Sequence, residues 1–474
     1  MTIDGTAPAA FDELMALRDR SAPPAGEVTI VPGDTILPSR FLIGETAASI
    51  MSAIGIVLSD IHEDARGKRL PFTINRRHLE ANLMADRFAA IRGGDGALTQ
   101  APQDPWMDKM RQCTQPFRTA DGRYFLPHLN LDHLKARVLG VLQAEDEVDD
   151  IVAAVARRNA LELEDEIAAA RACGGMVRTE AEWLAHPHGA HLAAMPVVRI
   201  TRVGDGPKIP LGEGARLLSG VRVLDLTRIL AGPVAARTLA EEGADVLMVT
   251  APHLPQVPQH VRDTSHGKRS TYADLETAEG RATLTRLVEG ADVFSQGYRP
   301  GVLEARGFGP HDLARIKPGM VSVSITCFGP DGPFSDRAGW EQVAQVVTGI
   351  AAANGGDGPP KLIPVPACDY MTGYLGAYGA LVALSRRAHE GGSWHVDVSL
   401  CQAGMMLLRQ GVLPEERPVV PLTEAELAAF RTETDTPYGD LVHLKPVLDM
   451  PGAPAYWERP TTTIGAHPPE WLAA

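Results

Sequence analysis

This sequence is poor in cysteine, in aromatic residues and in positive charge. Its five cysteines (Cys113, Cys173, Cys327, Cys368 and Cys401) are odd in number and scattered, with no C-x-x-C pair. That speaks against a disulfide framework or a cysteine metal cluster and fits a reduced, cytoplasmic setting. Lys and Arg number 45 against 59 Asp and Glu, for a formal net charge of -14. Such a chain lacks the basic face a nucleic-acid partner requires, although a few local cations can still hold a small anion. No apolar run approaches the roughly 20 residues of a membrane span. The opening MTIDGTAPAAFDELMALRDR is acidic and amphipathic, without the apolar core of a signal peptide. The expectation is a soluble, cytoplasmic protein with no membrane partner. The second half lacks a G-x-G-x-x-G, so NAD and FAD are not indicated. Aromatics make up 5%, whereas Gly (46) and Pro (37) are plentiful, which points to small-residue helices and Gly-rich turns.

What is present changes character along the chain. Residues 38–84 alternate a small-residue helix, a basic turn (DARGKR), a short strand (LPFTINR) and a second helix. RGGDGALTQAPQDPW then reads as a boundary, with RGGDG as a linker. From 113 to 200 the pattern is α+β: FRTADGRYFLPHL carries a DG turn between strand-like arms, and helical stretches follow. TEAEWLAHPHGAHL reads as a helix start and MPVVRITRV as a strand. Beyond the linker DGPKIPLGEGARLLSG, the continuous apolar strand VRVLDLT suits a buried parallel sheet. RILAGPVAARTLAEEG follows as loop and helix, with Pro233 near the first turn. Strands ADVLMVT, ADVFSQG and GMVSVSITCFG alternate with helices. The fold class expected is α/β: a Rossmann-like open parallel sheet with helices on both faces, plus a smaller α+β domain. The division reads as 1–90, a degenerate partial repeat of the large domain; 91–205, the small domain; 206–216, a linker; 217–411, the Rossmann-like domain; and 412–474, a segment returning to it.

The repeat comes from laying residues 45–75 on 369–399 without a gap. Ala53 then falls on Ala377, Gly55 on Gly379, Gly67 on Gly391, and Glu45 on Asp369. Asp369 stands at the mouth of a small-residue helix in KLIPVPACDYMTGYLGAYGALVAL. On its own pattern it is a helix N-cap.

Six collinear segments resemble family III CoA-transferases, the group of formyl-CoA transferase, carnitine CoA-transferase and α-methylacyl-CoA racemase. They are VRVLDLTRILAGP, EEGADVLMV, HGKRSTYADLETAEGRATLTRLV, ADVFSQGYRPGVLEARGFGP, SITCFGPDGPFSDRAGW and PACDYMTGYLGAYGALVALSRRAHEGGSWHVDVSL. Residues 113–205 resemble the family's small domain, and the C-terminal stretch its closing segment. In the family the small domain follows the helix of the catalytic Asp; here it precedes the Rossmann half, as a fused and trimmed duplication would leave it.

The resemblance implies that Asp369 is a nucleophile that takes CoA from an acyl-CoA as an aspartyl-CoA thioester and passes it to a carboxylic acid. It implicates Arg228, Ile229, Leu230 and Ala231 in holding CoA, mostly through backbone, and Gln296, Gly297 and Tyr298 in a CoA-lining loop. Lys268, Arg269, Arg299 and Arg306 are cations available to CoA phosphates, or else solvated surface charges. Coenzyme A enters as substrate, with no permanently bound cofactor and no metal. The family is an entwined dimer, so a homodimer is one expectation and a fusion that replaces it the other. Where family racemases carry His, this chain has Trp340, whose indole cannot serve as a base. That speaks against racemase or isomerase chemistry. Thr250 replaces a usual Glu, and no glycine run marks the small domain. These departures leave a non-catalytic acyl-CoA-binding protein as the remaining alternative. Glu45 reads as a helix-start acid without chemistry, and Cys368 as a small buried residue.

Overall fold

The computed structural model describes residues 4–101 and 106–472. Its largest sheet has seven strands, in the spatial order Lys268–Tyr272, Asp245–Thr250, Arg222–Leu226, Val293–Gln296, Val321–Thr326, Ser393–Ser399 and Arg199–Gly204. The first six pair in parallel. By chain position their order is 3-2-1-4-5-6, the doubly wound arrangement. The apolar strands Arg222–Leu226 and Asp245–Thr250 are buried on both faces, as parallel sheets require. The seventh, Arg199–Gly204, pairs antiparallel with Ser393–Ser399. The stretch MPVVRITRV, placed by sequence in the small domain, therefore completes the large sheet and covers what would be an open edge.

Two helices of 24 residues, Ile43–Arg66 and Ala367–Glu390, pack against each other in the core. Their bounds differ by 324 positions at both ends, the offset read from the sequence echo. Strand Phe72–Asn75 falls on the second half of strand Ser393–Ser399 in that register, and helix Arg76–Asn82 starts where helix Leu400–Arg409 does. The packing repeats as well. A Cβ on Gly55 would lie 2.5 Å from the Phe72 ring, and one on Gly379 would lie 2.5 Å from Val396, the residue equivalent to Phe72. Both glycines let a long helix lie directly on the strand that follows it. Among the described residues, Ile43–Arg66 is also the one helix long and apolar enough to cross a membrane, and that apolar stretch is wholly buried inside the protein.

The small domain is a three-stranded sheet (Phe117–Arg118, Tyr124–Pro127, Gly174–Met176) under helices Asp132–Leu142, Val148–Val155 and Ala160–Ala169. Thr179 and Glu182 form a capping box at the TEAEW helix start. RGGDG is not a linker: it forms the turn between strands Ala90–Arg92 and Leu98–Gln100, which extend the C-terminal hairpin 431–444 into a four-stranded sheet. The C-terminal segment runs along the outer strand of the large sheet, where Gly267 N–H donates to Arg459 O at 2.9 Å and His467 N–H to Ser270 O at 2.8 Å.

Candidate active site

In an open doubly wound sheet, ligands bind beyond the carboxyl ends of the strands where the strand order reverses. Here that point lies between strands Arg222–Leu226 and Val293–Gln296. A cleft of about 230 Å³ opens there, lined by the loop Thr227–Gly232, Gly297–Arg299, Ile325–Cys327, Ala338–Trp340, Leu400 and Asp369. The small domain closes its far side with Leu131, His133 and Leu134.

Asp369 is the third residue of helix Ala367–Glu390. The cap expected of it is made by another residue. Glu341, buried at the start of helix Glu341–Thr348, accepts the N–H of Asp369 at 2.6 Å and of Cys368 at 3.2 Å. Gln345 donates to Glu341 at 2.7 Å and accepts the N–H of Ile363 at 2.9 Å. With the helix end satisfied, the Asp369 carboxylate caps nothing and lines the cleft. Burial, then the negative charge of Glu341, pushes Asp369 well above the usual carboxylate range. Burial also pushes Glu341 up, to about 7, against the hydrogen bonds from Gln345, Asp369 and Cys368. Glu341 is not among the residues nominated from sequence; its one signal there is an acid directly after Trp340 in AGWEQ.

Gly373 brings this helix against helix Ala231–Glu241, since a Cβ there would meet Ala231 O at 2.5 Å. The loop before that second helix is strained: Ile229, a β-branched residue, has φ +76°. Asp225 holds it from below by accepting the N–H of Thr227 at 3.0 Å. Lys268 clamps the same point, donating to Asp225 at 2.9 Å and to Pro233 O at 2.8 Å. Both Lys268 and Asp225 are fully buried.

Of the residues nominated from sequence, Arg228, Ile229, Leu230, Ala231, Gly297, Tyr298, Arg299 and Asp369 meet at the cleft. Lys268 does not line it: its buried ammonium is ion-paired with Asp225 and supports the loop. Arg269 lies away too, bound to Asp245 at 3.1 Å and to Glu470 O at 2.8 Å. Gln296 shapes the turn from within, accepting the N–H of Tyr298 at 2.7 Å. Arg306 lines a neighbouring pocket of about 110 Å³ beyond the ends of the same strands, with Thr250, His253 and Tyr298. Trp340 walls the cleft and packs on His128 of the small domain, ring centroids 4.9 Å apart. Burial drives that histidine down to about 3, so it is neutral. Glu45 is held by Arg417 at 2.7 Å and Arg76 at 2.9 Å. Burial raises it, but these partners outweigh burial and keep it below its usual value. Among the described residues, no group of three or more His, Cys, Asp or Glu is placed to share a metal ion.

The fold and cleft define a doubly wound α/β protein with a bare carboxylate at its switch-point crevice. Residues 218–421 match the sequence model of CoA-transferase family III, which bears out the resemblance read from the six segments. An acetyl-coenzyme A transferase of Hypoxylon pulicicidum is 32% identical over 378 residues, 71% of this chain and 64% of that protein. A succinyl-CoA–D-citramalate CoA-transferase of Chloroflexus aurantiacus is 34% identical over 213 residues, 42% of this chain and 53% of that protein. The solved structure of a CAIB/BAIF family protein from Brucella suis is 30% identical, with a TM-score of 0.37, over 47% of this chain and 64% of that one. The chain thus spans less than two thirds of these relatives. A match over 71% of this chain cannot fit within residues 218–474, so the Hypoxylon protein shares part of the upstream segment in the same order.

Proposed function

We propose that this chain is a CoA-transferase that moves CoA from an acyl-CoA to a carboxylic acid, with Asp369 as the nucleophile. The observation that carries the reading is the bare Asp369 carboxylate in the cleft, freed from capping by Glu341. One Asp369 oxygen attacks the thioester carbonyl, the C–S bond breaks, and CoA thiolate leaves behind a mixed anhydride. The thiolate then attacks the Asp369 carbonyl of the anhydride, which frees the donor acid and forms aspartyl-CoA. The acceptor carboxylate attacks that thioester and again displaces the thiolate. The thiolate finally attacks the acceptor's carbonyl, releasing the new acyl-CoA and the Asp369 carboxylate. Covalent relay splits one difficult exchange into easier steps. Both intermediates hydrolyse, so closure of the cleft by Leu131 and Leu134 serves to exclude water.

The strained loop Thr227–Leu230 and Gly297–Tyr298 would flank the pantetheine arm. The pocket with Arg306 and His253 would receive the nucleotide end, where Arg306 supplies the phosphate contact that Lys268 does not. The pairing of helices 43–66 and 367–390 supports the further reading that residues 1–90 are a partial second copy, whose nucleophile position Glu45 is retired by its two arginines. Five buried free cysteines suit the cytoplasmic setting this reading carries.

The test is chemical trapping. Acyl-CoA is added, hydroxylamine follows, and mass spectrometry locates the modified residue. The expected result is modification of Asp369, absent in Asp369→Ala. CoA binding without an adduct at any position overturns the mechanism.

A further inference from the structure

A second cavity, of about 660 Å³, lies apart from the cleft and shares no lining residue with it or with the pocket of Arg306. One wall is the partial copy. Along strand Phe72–Asn75, Phe72 and Ile74 are buried, while Thr73 and Asn75 are half-buried and line the cavity. Val31, at the carboxyl end of the neighbouring parallel strand Val28–Val31, lines it as well. Val28 pairs with Phe72 as Val323 pairs with Val396, so Val31 is the counterpart of Thr326, which lines the cleft of Asp369. The cavity thus sits at the carboxyl ends of the copied strands, the end at which parallel sheets take ligands. The C-terminal hairpin and the segment after it, with His443, Lys445, Trp457 and Arg459, supply further walls.

Rings crowd this cavity in a chain with only 5% aromatics. His266 stacks on His443, centroids 4.0 Å apart, and on Trp457 at 4.8 Å, and all three line the space. The imidazoles are neutral. Burial, then Lys445, lowers His78 to about 4; burial lowers His443 to about 4 against its bond to Leu444; burial, then His443 and Arg237, holds His266 well below its usual value. Three ring nitrogens, His78 Nε2, His266 Nε2 and Trp457 Nε1, are buried without a hydrogen-bond partner among the described residues. Such atoms are costly until an occupant with polar groups meets them, and an indole N–H can only donate, so the occupant offers an acceptor. The histidines do not make a metal site. His443 donates Nδ1–H to Leu444 O at 2.9 Å, and its Nε2 accepts from Thr434 Oγ1 at 2.9 Å, which leaves it no lone pair. The charges lining the space are Lys445 and Arg459 against one carboxylate, Asp449. That excess of one positive charge matches a carboxylate better than a phosphate, which carries nearly two negative charges. We infer that this cavity binds a planar aromatic carboxylic acid, its ring against the cluster of His266, His443 and Trp457 and its carboxylate towards Lys445 and Arg459. No group of this site belongs to the cleft, so the acid binds whether or not Asp369 is a nucleophile.

Calorimetric titration of the full chain with three probes tests this. 2-Naphthoate is planar, aromatic and anionic; 2-naphthalenemethanol lacks the charge; decahydro-2-naphthoate keeps the charge and lacks the flat ring. 2-Naphthoate should bind about 10-fold or more tightly than the alcohol and about 3-fold or more tightly than the saturated acid. Ala455 lines the cavity at a half-buried position, so Ala455→Trp fills the space and should abolish binding. The double variant Lys445→Gln, Arg459→Gln changes two side chains outside the core and should weaken 2-naphthoate by about 10- to 100-fold and the alcohol by at most about 2-fold. A melting curve shows that each variant is folded, and the double variant decides the matter if Ala455→Trp is not. Undiminished binding of 2-naphthoate by a folded variant places the probe elsewhere and overturns the assignment. Equal affinity for the alcohol or for the saturated acid overturns it too, as does the absence of binding at millimolar concentration.

Discussion

The carboxylate of Glu341 accepts the backbone N–H of Asp369 at 2.6 Å. One carboxylate thus caps the helix whose third residue carries the other. The arrangement frees Asp369 from the backbone; burial first, and then the negative charge of the capping acid, raise its pKa.

That coupling sets the pH dependence of transfer. The attacking species is the carboxylate anion, and Asp369 has a raised pKa, so the rate should fall as pH drops through that value and climb above it. Glu341→Gln removes the neighbouring charge and keeps an acceptor oxygen. The rising limb of kcat/KM against pH should move to lower pH; because both Glu341 oxygens accept N–H groups, the new NH2 faces one of these donors, and the melting temperature should fall as well. Glu341→Ala leaves the N–H groups of Cys368 and Asp369 unsatisfied and should cost about 1–3 kcal/mol of stability. An unmoved pH profile in Glu341→Gln would break the proposed coupling.

A second pH effect concerns stability. Glu241 and Glu242 are buried at the end of helix Ala231–Glu241. Burial raises Glu241 to about 8 and Glu242 to about 7, above the ordinary 4.5. Between 4.5 and these values the folded protein holds protons that the unfolded chain has lost. Their contribution is full below pH 4.5 and is lost as pH rises through 7 to 8. Chemical denaturation from about pH 5.5 to about pH 8.5 should show falling stability, with a shallower slope in the Glu241→Gln, Glu242→Gln double variant.

Much of this fold was legible because parallel strands are continuous apolar runs separated by helices of ordinary length. VRVLDLT and ADVLMVT could hardly be anything else. The echo between Gly55 and Gly379 was legible because close packing on a following strand demands glycine in both places. The missed features depend on contacts distant in sequence. Nothing local says that Arg199–Gly204 completes the sheet edge, that RGGDG is a hairpin turn beside residues 439–444, or that Glu341 caps a helix 26 positions further on. Lys268 and Arg269 have the right charge for phosphate, but alternation along a buried strand and pairing with Asp225 and Asp245 decide otherwise.

The two glycines offer a direct test of the repeated packing. Gly55→Ala would place a Cβ against the Phe72 ring and Gly379→Ala against Val396, each at 2.5 Å. Alanine would ordinarily stabilise a helix interior, by roughly 0.5–1 kcal/mol. Both substitutions should instead destabilise by about 1–3 kcal/mol, measured by urea denaturation. A gain in stability at either site would contradict the close approach.

Lys268→Met separates the two roles a lysine could have here. As a phosphate ligand, its loss would raise KM for acyl-CoA and leave the fold unchanged. As the buried partner of Asp225, its loss strands a carboxylate and should cost about 3–5 kcal/mol, seen as a lower melting temperature. Protein that remains folded should keep its KM within about 3-fold.

Glu45 occupies the position equivalent to Asp369, and its surroundings explain why it should be inert. Arg417 and Arg76 occupy its oxygens and hold it ionised at a lowered pKa. A nucleophile that binds two guanidinium groups must break those bonds to attack. Hydroxylamine trapping should therefore give one adduct per chain, on the peptide containing Asp369 and never on that containing Glu45. Glu45→Gln should leave transfer unchanged within about 3-fold and lower stability by about 1–3 kcal/mol, because two arginines lose their counter-charge in a partly buried place. Because the lowered pKa contributes stability above the unfolded value and loses it as pH falls, the difference between wild type and Glu45→Gln should shrink under acid. A second adduct at Glu45 would mean that both halves of the helix pair are catalytic, and the ion pairs at Glu45 would then have to open during turnover.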